Sequence, residues 1–189
     1  MKRNSGTFTL QTSGYTAFTP NNLPPAPDID IGEKMYGLLS RADRALGRLD
    51  GSIQALPNAE LFVFMYVRKE AVLSSQIEGT QASLHDVLDV EAQLLDPKRP
   101  NDTEEILNYV RALNFGLKRL SELPLSMRLI REIHEILMND VRGQHATPGQ
   151  FRTSQNWIGT AGSGIKDAIF VPPPADKLPE LLGELEKYI

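Results

Sequence analysis

Apolar residues recur every three or four positions through most of residues 33–140, with shorter alternating runs beyond. Met35, Leu38, Leu39, Ala42, Leu46 and Leu49 form one stripe at helical spacing, which predicts a helix ending near Gly51. The next helix is predicted from about Asn58 to Glu78. Its first half, Leu61 to Val67, is apolar on every side, as a central buried helix would be. Its second half turns polar, so the Ser74–Glu78 end should emerge at a surface or cleft. Ser83 is placed to cap a third helix through Leu95, which stops at the Asp96-Pro97 break. Asp102 or Thr103 caps a fourth, with Ile106, Leu107, Val110, Leu113, Leu117 and Leu120 as its apolar positions. A fifth follows Ser126, with Leu129, Ile130, Ile133, Ile136 and Leu137 facing inward. Short connections between five such helices describe a bundle.

The pattern differs at the two ends. Residues 1–32 are rich in Ser, Thr, Asn and Pro, and Pro20, Pro24, Pro25 and Pro27 fix an extended arm rather than a helix or central strand. Tyr15, Phe18 and Leu23 could pack that arm along the body. After Asp140 the helical period stops, and Gly143 to Arg152 read as an ordered loop. Asn156 to Gly159 and Ala168 to Val171 then flank Gly162-Ser163-Gly164, which predicts a β-hairpin closed off by Pro172–Pro174. A final amphipathic helix carries Leu178, Leu181, Leu182, Leu185 and Tyr188. Because an apolar stripe still runs at Tyr188-Ile189, the chain is expected to be a fragment or a gene product cut short. The expected fold class is mainly α, a helical bundle with one short β-hairpin near the C-terminal end. Its parts are an extended Pro-rich arm (1–32), a helical region (33–123) and a last part holding the hairpin (124–189).

Composition narrows the chemistry. With 189 residues, of which 41% are hydrophobic, the chain can bury a real core. A net charge of −4 with no strongly basic segment argues against nucleic acid as a partner. The absence of cysteine excludes disulfides, zinc-thiolate sites and thiol catalysis. His85, His134 and His145 lack metal-ligand spacing. Lys2 and Arg3 are not followed by the apolar core of a signal peptide, and no run is long enough for a membrane span, so a cytoplasmic protein is expected. Complete catalytic motifs for nucleotide, hydrolase or zinc chemistry are missing. The acidic pair Glu104 and Glu105 sits in a first helical turn, where the helix dipole favours it. Trp157 reads as a packing residue before a ligand platform.

One short run stands out against this. Ser74-Ser75-Gln76-Ile77-Glu78-Gly79 places a hydroxyl and a carboxylate four residues apart, on one helix face. Gly79 can end the helix in a left-handed cap. A carboxylate there faces the partial negative charge of the helix C-terminus, at a typical cost of ~0.3–1 kcal/mol, and would gain from a nearby cation. Spacing alone also fits a surface glutamate with an unrelated serine.

Taken together, the motifs resemble the N-terminal and pre-core part of a Fic family protein. That family's inhibitory motif is Ser or Thr, three residues, Glu, then Gly or Asn, and Ser74 to Gly79 match it. Arg142-Gly143 and the stretch Thr147 to Gly159 resemble the family's pre-core loop and the first strand of its target-binding flap. Phe170-Val171-Pro172-Pro173-Pro174 resembles the flap's return strand and exit. The resemblance runs over roughly residues 15–189 in the family's order.

Fic proteins transfer AMP from ATP to a Ser, Thr or Tyr hydroxyl of a target protein, with Mg²⁺. The resemblance implies a Fic-type helical bundle, in which Glu78 pairs with the second arginine of the catalytic motif and holds the ATP γ-phosphate out of its productive position. Ser74, one turn back, would help hold that helix end or the carboxylate, and Gly79 would close it. The flap, at Trp157, Ile158, Ile169, Phe170 and Val171, would guide target docking. The family's catalytic loop, His-x-Phe-x-Asp/Glu-Gly-Asn-Gly/Ala-Lys/Arg, is absent from these 189 residues, which contain no Gly-Asn dipeptide. This chain by itself is therefore expected to be an inactive nucleotidyltransferase part, with catalytic and metal residues elsewhere. A non-catalytic, antitoxin-like module that supplies Glu78 in trans to another Fic core is the alternative. A homodimer is compatible with the sequence, which does not name the target.

Overall fold

The computed structural model describes residues 5–29, 31–77, 79–92, 102–141 and 147–189. Glu78, Leu95, Asp96, Pro97, Arg142, Gly143 and His145 lie outside the described residues. Among the described residues the fold is mainly α, with a two-stranded antiparallel hairpin and six helices. The strands are β1 (Gly6–Leu10) and β2 (Thr16–Pro20). The helices are α1 (Glu33–Gln54), α2 (Ala59–Ile77), α3 (Leu84–Glu91), α4 (Asp102–Arg119), α5 (Met127–Leu137) and α6 (Leu178–Tyr188). None is long and apolar enough to cross a membrane. The chain divides into two compact units, residues 1–29, 123–131 and 150–189 in one, residues 30–122 and 132–149 in the other.

In the second unit, the core is small and lies where α2, α3 and α4 meet. Ala71, Val72, Ala82, Val87, Ile106, Leu107 and Val110 form one buried cluster. Local signals start its helices: Asn58 Oδ1 accepts from the Leu61 N–H at 2.9 Å to cap α2. Ser83 and Asp86 form a reciprocal capping box that starts α3. Arg68 is buried and makes a two-pronged ion pair with Glu91, at 2.5 and 2.6 Å, joining α2 to α3. Its Nη1 also donates to the Phe64 carbonyl at 3.1 Å. Asn108, fully buried in α4, donates from Nδ2 to the Asn139 carbonyl at 2.6 Å and accepts from Arg111 at 2.9 Å. At the end of α4, Arg119 bridges Glu122 and Glu132, and these hydrogen bonds, Glu132's foremost, raise its already high pKa further.

Several boundaries and burials differ from the sequence expectation. Helix α1 runs through Gly51 to Gln54, because glycine inside a helix costs only about 1 kcal/mol. Its apolar stripe is exposed rather than buried, and no other described element packs substantially against it. The expected burial of the first half of α2 is also overturned. Leu61, Phe62, Val63, Phe64 and Tyr66 are exposed, and α2 buries Arg68, Ala71 and Val72 instead. Helix α3 ends at Glu91, earlier than the expected Leu95. In α5 the Ser126 hydroxyl caps the start as expected, yet Ile130 is exposed and Leu129 alone is fully buried.

The first unit holds β1 and β2, the stretch after Gln150, and α6. Where the sequence predicts only an extended arm, residues 6–20 fold back as a hairpin. Thr7-Phe8-Thr9-Leu10 alternates, and Gly14, at φ +82°, turns the chain, while the crowded prolines begin only at the hairpin's last residue, Pro20. The register pairs Phe8 with Phe18 and Gly6 with Pro20. Leu23, Pro25 and Ala26 line an apolar groove with Leu178, Leu181, Leu182 and Leu185 of α6. The Met127 N–H donates to Glu186 at 2.8 Å and ties the start of α5 to α6.

Candidate functional site

Two backbone bonds close the end of α2. The Thr80 N–H donates to the Ser75 carbonyl at 3.3 Å and the Gly79 N–H to the Gln76 carbonyl at 3.1 Å. These are the two bonds of a Schellman cap, with Gly79 in the left-handed position at φ +94°. A Cβ at Gly79 would meet no heavy atom within 4 Å, so only the backbone conformation demands glycine there. Gly79→Ala should therefore cost about 1 kcal/mol through strain alone. Denaturation followed by circular dichroism would show this, and an alanine variant as stable as wild type would refute it.

Side chains lock the same turn. Thr80, buried, donates from its hydroxyl to Ser75 Oγ at 2.9 Å, and Gln76 Nε2 donates to the Ala82 carbonyl at 3.2 Å. Ser74 is half-buried one turn before the cap, and Ile77 is exposed. The bonds that hold this turn come from Ser75, Gln76 and Thr80, which the sequence reading did not single out. The available signal was a hydroxyl pair bracketing the glycine, Ser75 four residues before it and Thr80 directly after it. The last turn of α2 carries no basic residue, so nothing within it would offset an added negative charge.

The flap residues lie in the other unit. The two runs expected to form a hairpin meet at a single antiparallel bridge, Ile158 with Phe170. The Ile158 N–H donates to the Phe170 carbonyl at 2.8 Å, and the Ile158 carbonyl accepts from Ile169 and Phe170 at 2.8 and 3.1 Å. Between them the chain passes Gly162, at φ +81°, and a 3₁₀ turn at Ile165–Asp167. No longer ladder forms toward the base, because Pro172–Pro174 have no N–H to give, and side chains take the carbonyls there instead. Arg152 donates to the carbonyls of Ser154 and Pro173, and Gln155 Nε2 to those of Asn156 and Pro172. Each of these two side chains spans both legs of the flap. Trp157, Ile158 and Ile169 are exposed, Phe170 is half-buried and Val171 is buried. Trp157, expected to pack, is covered over more than half of its surface and leaves 42% open.

Ser74 and Gly79 thus sit together at one helix end in one unit, and the five flap residues together in the other. The two described histidines have local roles. His85 pairs with Asp89 on the surface of α3, and His134 Nδ1 accepts from the Gly149 N–H at 2.9 Å. Among the described residues no group of three or more metal-ligating side chains converges.

Residues 36–118 match the model of the Fic/DOC family N-terminal region. The matched span takes in most of α1, all of α2 and α3, the Ser74–Gly79 run, and α4 as far as Lys118. No curated protein matches the chain.

Proposed function

We propose that this chain, the N-terminal part of a Fic family protein, restrains and aims the transfer of AMP from ATP to a hydroxyl of a target protein. The observation that carries this reading is the position of the Ser74–Gly79 run inside the matched region, beside a cap held by two backbone and two side-chain bonds. A carboxylate at position 78 is followed directly by a residue whose conformation is fixed. It gains from a guanidinium, ideally through two parallel bonds, because that replaces the repulsion of the helix C-terminus with a charge-assisted pair. The arginine is the second one of the catalytic motif, absent from this sequence. Holding that arginine keeps the γ-phosphate, and with it the α-phosphate and Mg²⁺, out of line with the attacking hydroxyl.

The flap supports the second half of the reading. Its legs are tied at the base by Arg152 and Gln155, and its exposed backbone can pair with an extended target segment without demanding sequence. In a protein that joins this chain to a Fic catalytic loop, Glu78→Gly should raise AMP incorporation by about 10- to 100-fold. That is the rate equivalent of losing one charge-assisted pair. Labelled ATP and a cell extract, with wild type alongside, provide the measurement, and unchanged incorporation would sink the proposal.

A second reading, inhibition of a separate Fic core in trans, is favoured by the uncovered apolar faces of α1 and of the first half of α2. Another protein could cover them. Titrating this chain into a Fic core should then suppress transfer, and the Glu78→Gly chain should not.

A further inference from the structure

We infer that the N-terminal hairpin is the positioning strand of the flap. It occupies the edge of the return leg through Phe18 and leaves the outgoing leg, Trp157 to Gly159, as the edge on which an extended partner segment pairs. The docking half of this inference rests on the flap reading above; the positioning half does not.

The parity of the hairpin ladder sets the argument. The Gln11 N–H donates to the Tyr15 carbonyl and the Asn21 N–H to the Ser5 carbonyl, at 2.8 and 2.9 Å. Hydrogen-bonded and non-bonded pairs alternate between these two points. Phe8 with Phe18 and Gly6 with Pro20 are consequently non-bonded pairs, and the backbone of Phe18 faces away from β1. It does not face solvent. The Phe18 N–H donates to the Val171 carbonyl at 2.8 Å. Pro20, which has no N–H to give, also falls at an outward-facing position, where its loss leaves the ladder whole.

Rings reinforce the joint. Phe18 lies between Phe8, at 5.1 Å between centroids, and Phe170, at 5.9 Å. Val171 and Ala17 are buried beside them. The return leg is thus bonded on one side to Ile158 and on the other to β2.

The outgoing leg is different. Ile158 spends both its N–H and its carbonyl on the bridge. Its neighbours Trp157 and Gly159 make no backbone hydrogen bond among the described residues, and alternation along an extended leg would turn their backbone groups to the side opposite the bridge. A bare row of alternating donors and acceptors is matched best by another extended backbone. Of the flap's own two edges, only this one is open.

Amide exchange by NMR on the full chain tests both halves and uses no nucleotide, so its failure is separable from failure of the transfer reading. In wild type, the Phe18 amide should be protected and those of Trp157 and Gly159 unprotected; the reverse pattern overturns the inference. Phe18→Pro removes the N–H given to Val171 while sparing the ladder. It should speed exchange at Ile158 and Phe170 by about tenfold, the equivalent of one lost hydrogen bond. Phe18→Leu, which keeps the N–H and the bulk, should stay within about twofold of wild type.

Retained protection at Gln11 and Asn21 verifies that the hairpin persists in the proline variant. If it does not persist, a through-bond coupling between the Phe18 nitrogen and the Val171 carbonyl carbon in wild type decides the joint. For docking, the probe is a capped Thr-Val-Thr-Val-Thr peptide at millimolar concentration. Shifts at Trp157 and Gly159 support the outgoing edge. Shifts confined to Phe8 and Leu10, or none, overturn it.

Discussion

Arg68→Ala is expected to destabilise the unit built on α2, α3 and α4 by about 3 kcal/mol, at the lower end of what breaking a buried ion pair costs. Arg68 is 7% exposed, and its guanidinium sits 3.3 Å from the centroid of the Phe64 ring while bonding Glu91 twice. Alanine removes the charge, the ring contact and the buried methylene stem together. The loss is held below that of a fully buried pair because the Glu91 side chain, 28% exposed, can take water in exchange. Arg68→Lys should cost less, about 1–2 kcal/mol, since an ammonium cannot make both parallel bonds. Amide exchange at Val72 and Ile106 reads the opening of this unit without requiring the whole chain to unfold as one. An alanine variant with protection there equal to wild type would show that the pair contributes nothing net. A double-mutant cycle with Glu91→Gln separates the pair from the packing.

Arg68 also shows what periodicity could not supply. A lone arginine in an apolar helix reads as a surface residue, and only the arrival of Glu91 from α3 makes burial affordable. Conversely, the stripe from Met35 to Leu49 was legible as a helix face, and α1 has that helix. Hydropathy states that such a face should be covered, not what covers it, and here it is exposed. The same gap explains Leu61 to Val67. Helix starts were more legible, because caps are local chemistry: Asn58, Ser83 and Ser126 each accept the backbone bond that their residue type suggests.

At the candidate site the left-handed glycine was readable, since φ above zero selects glycine, but the Thr80–Ser75 bond depends on the fold of the turn. Glu78, between Ile77 and that glycine, lies outside the described residues. The flap was read as a hairpin, and what forms is one bridge plus two side-chain clamps. The hairpin at residues 6–20 was obscured by prolines that begin at its last residue and crowd the chain just after it. Period-two alternation over four residues is a weak signal beside four prolines.

Gly6→Ala should melt that N-terminal hairpin, the most local failure a single methyl can produce in this chain. A Cβ at Gly6 would lie 2.2 Å from the Thr19 carbonyl oxygen and 2.5 Å from the tip of the Phe18 ring. The ring could turn away, but the oxygen belongs to backbone at the next rung of the ladder, Thr7 with Thr19. Making room means breaking that rung. Overpacking of this kind costs about 1–3 kcal/mol, and a two-stranded hairpin is marginal even with its side chains packed. Protection at the Gln11 and Asn21 amides should therefore be lost, while Ile106 in the other unit keeps its own. Because Phe18 joins the hairpin to Val171, the flap should loosen in the same variant, and exchange at Ile158 and Phe170 should rise with it. Thr7→Ala, at a position whose exposed side chain meets no such crowding, should leave all four amides nearly unchanged. Loss of the hairpin with the flap amides still protected would mean that the flap is held by Arg152 and Gln155 alone.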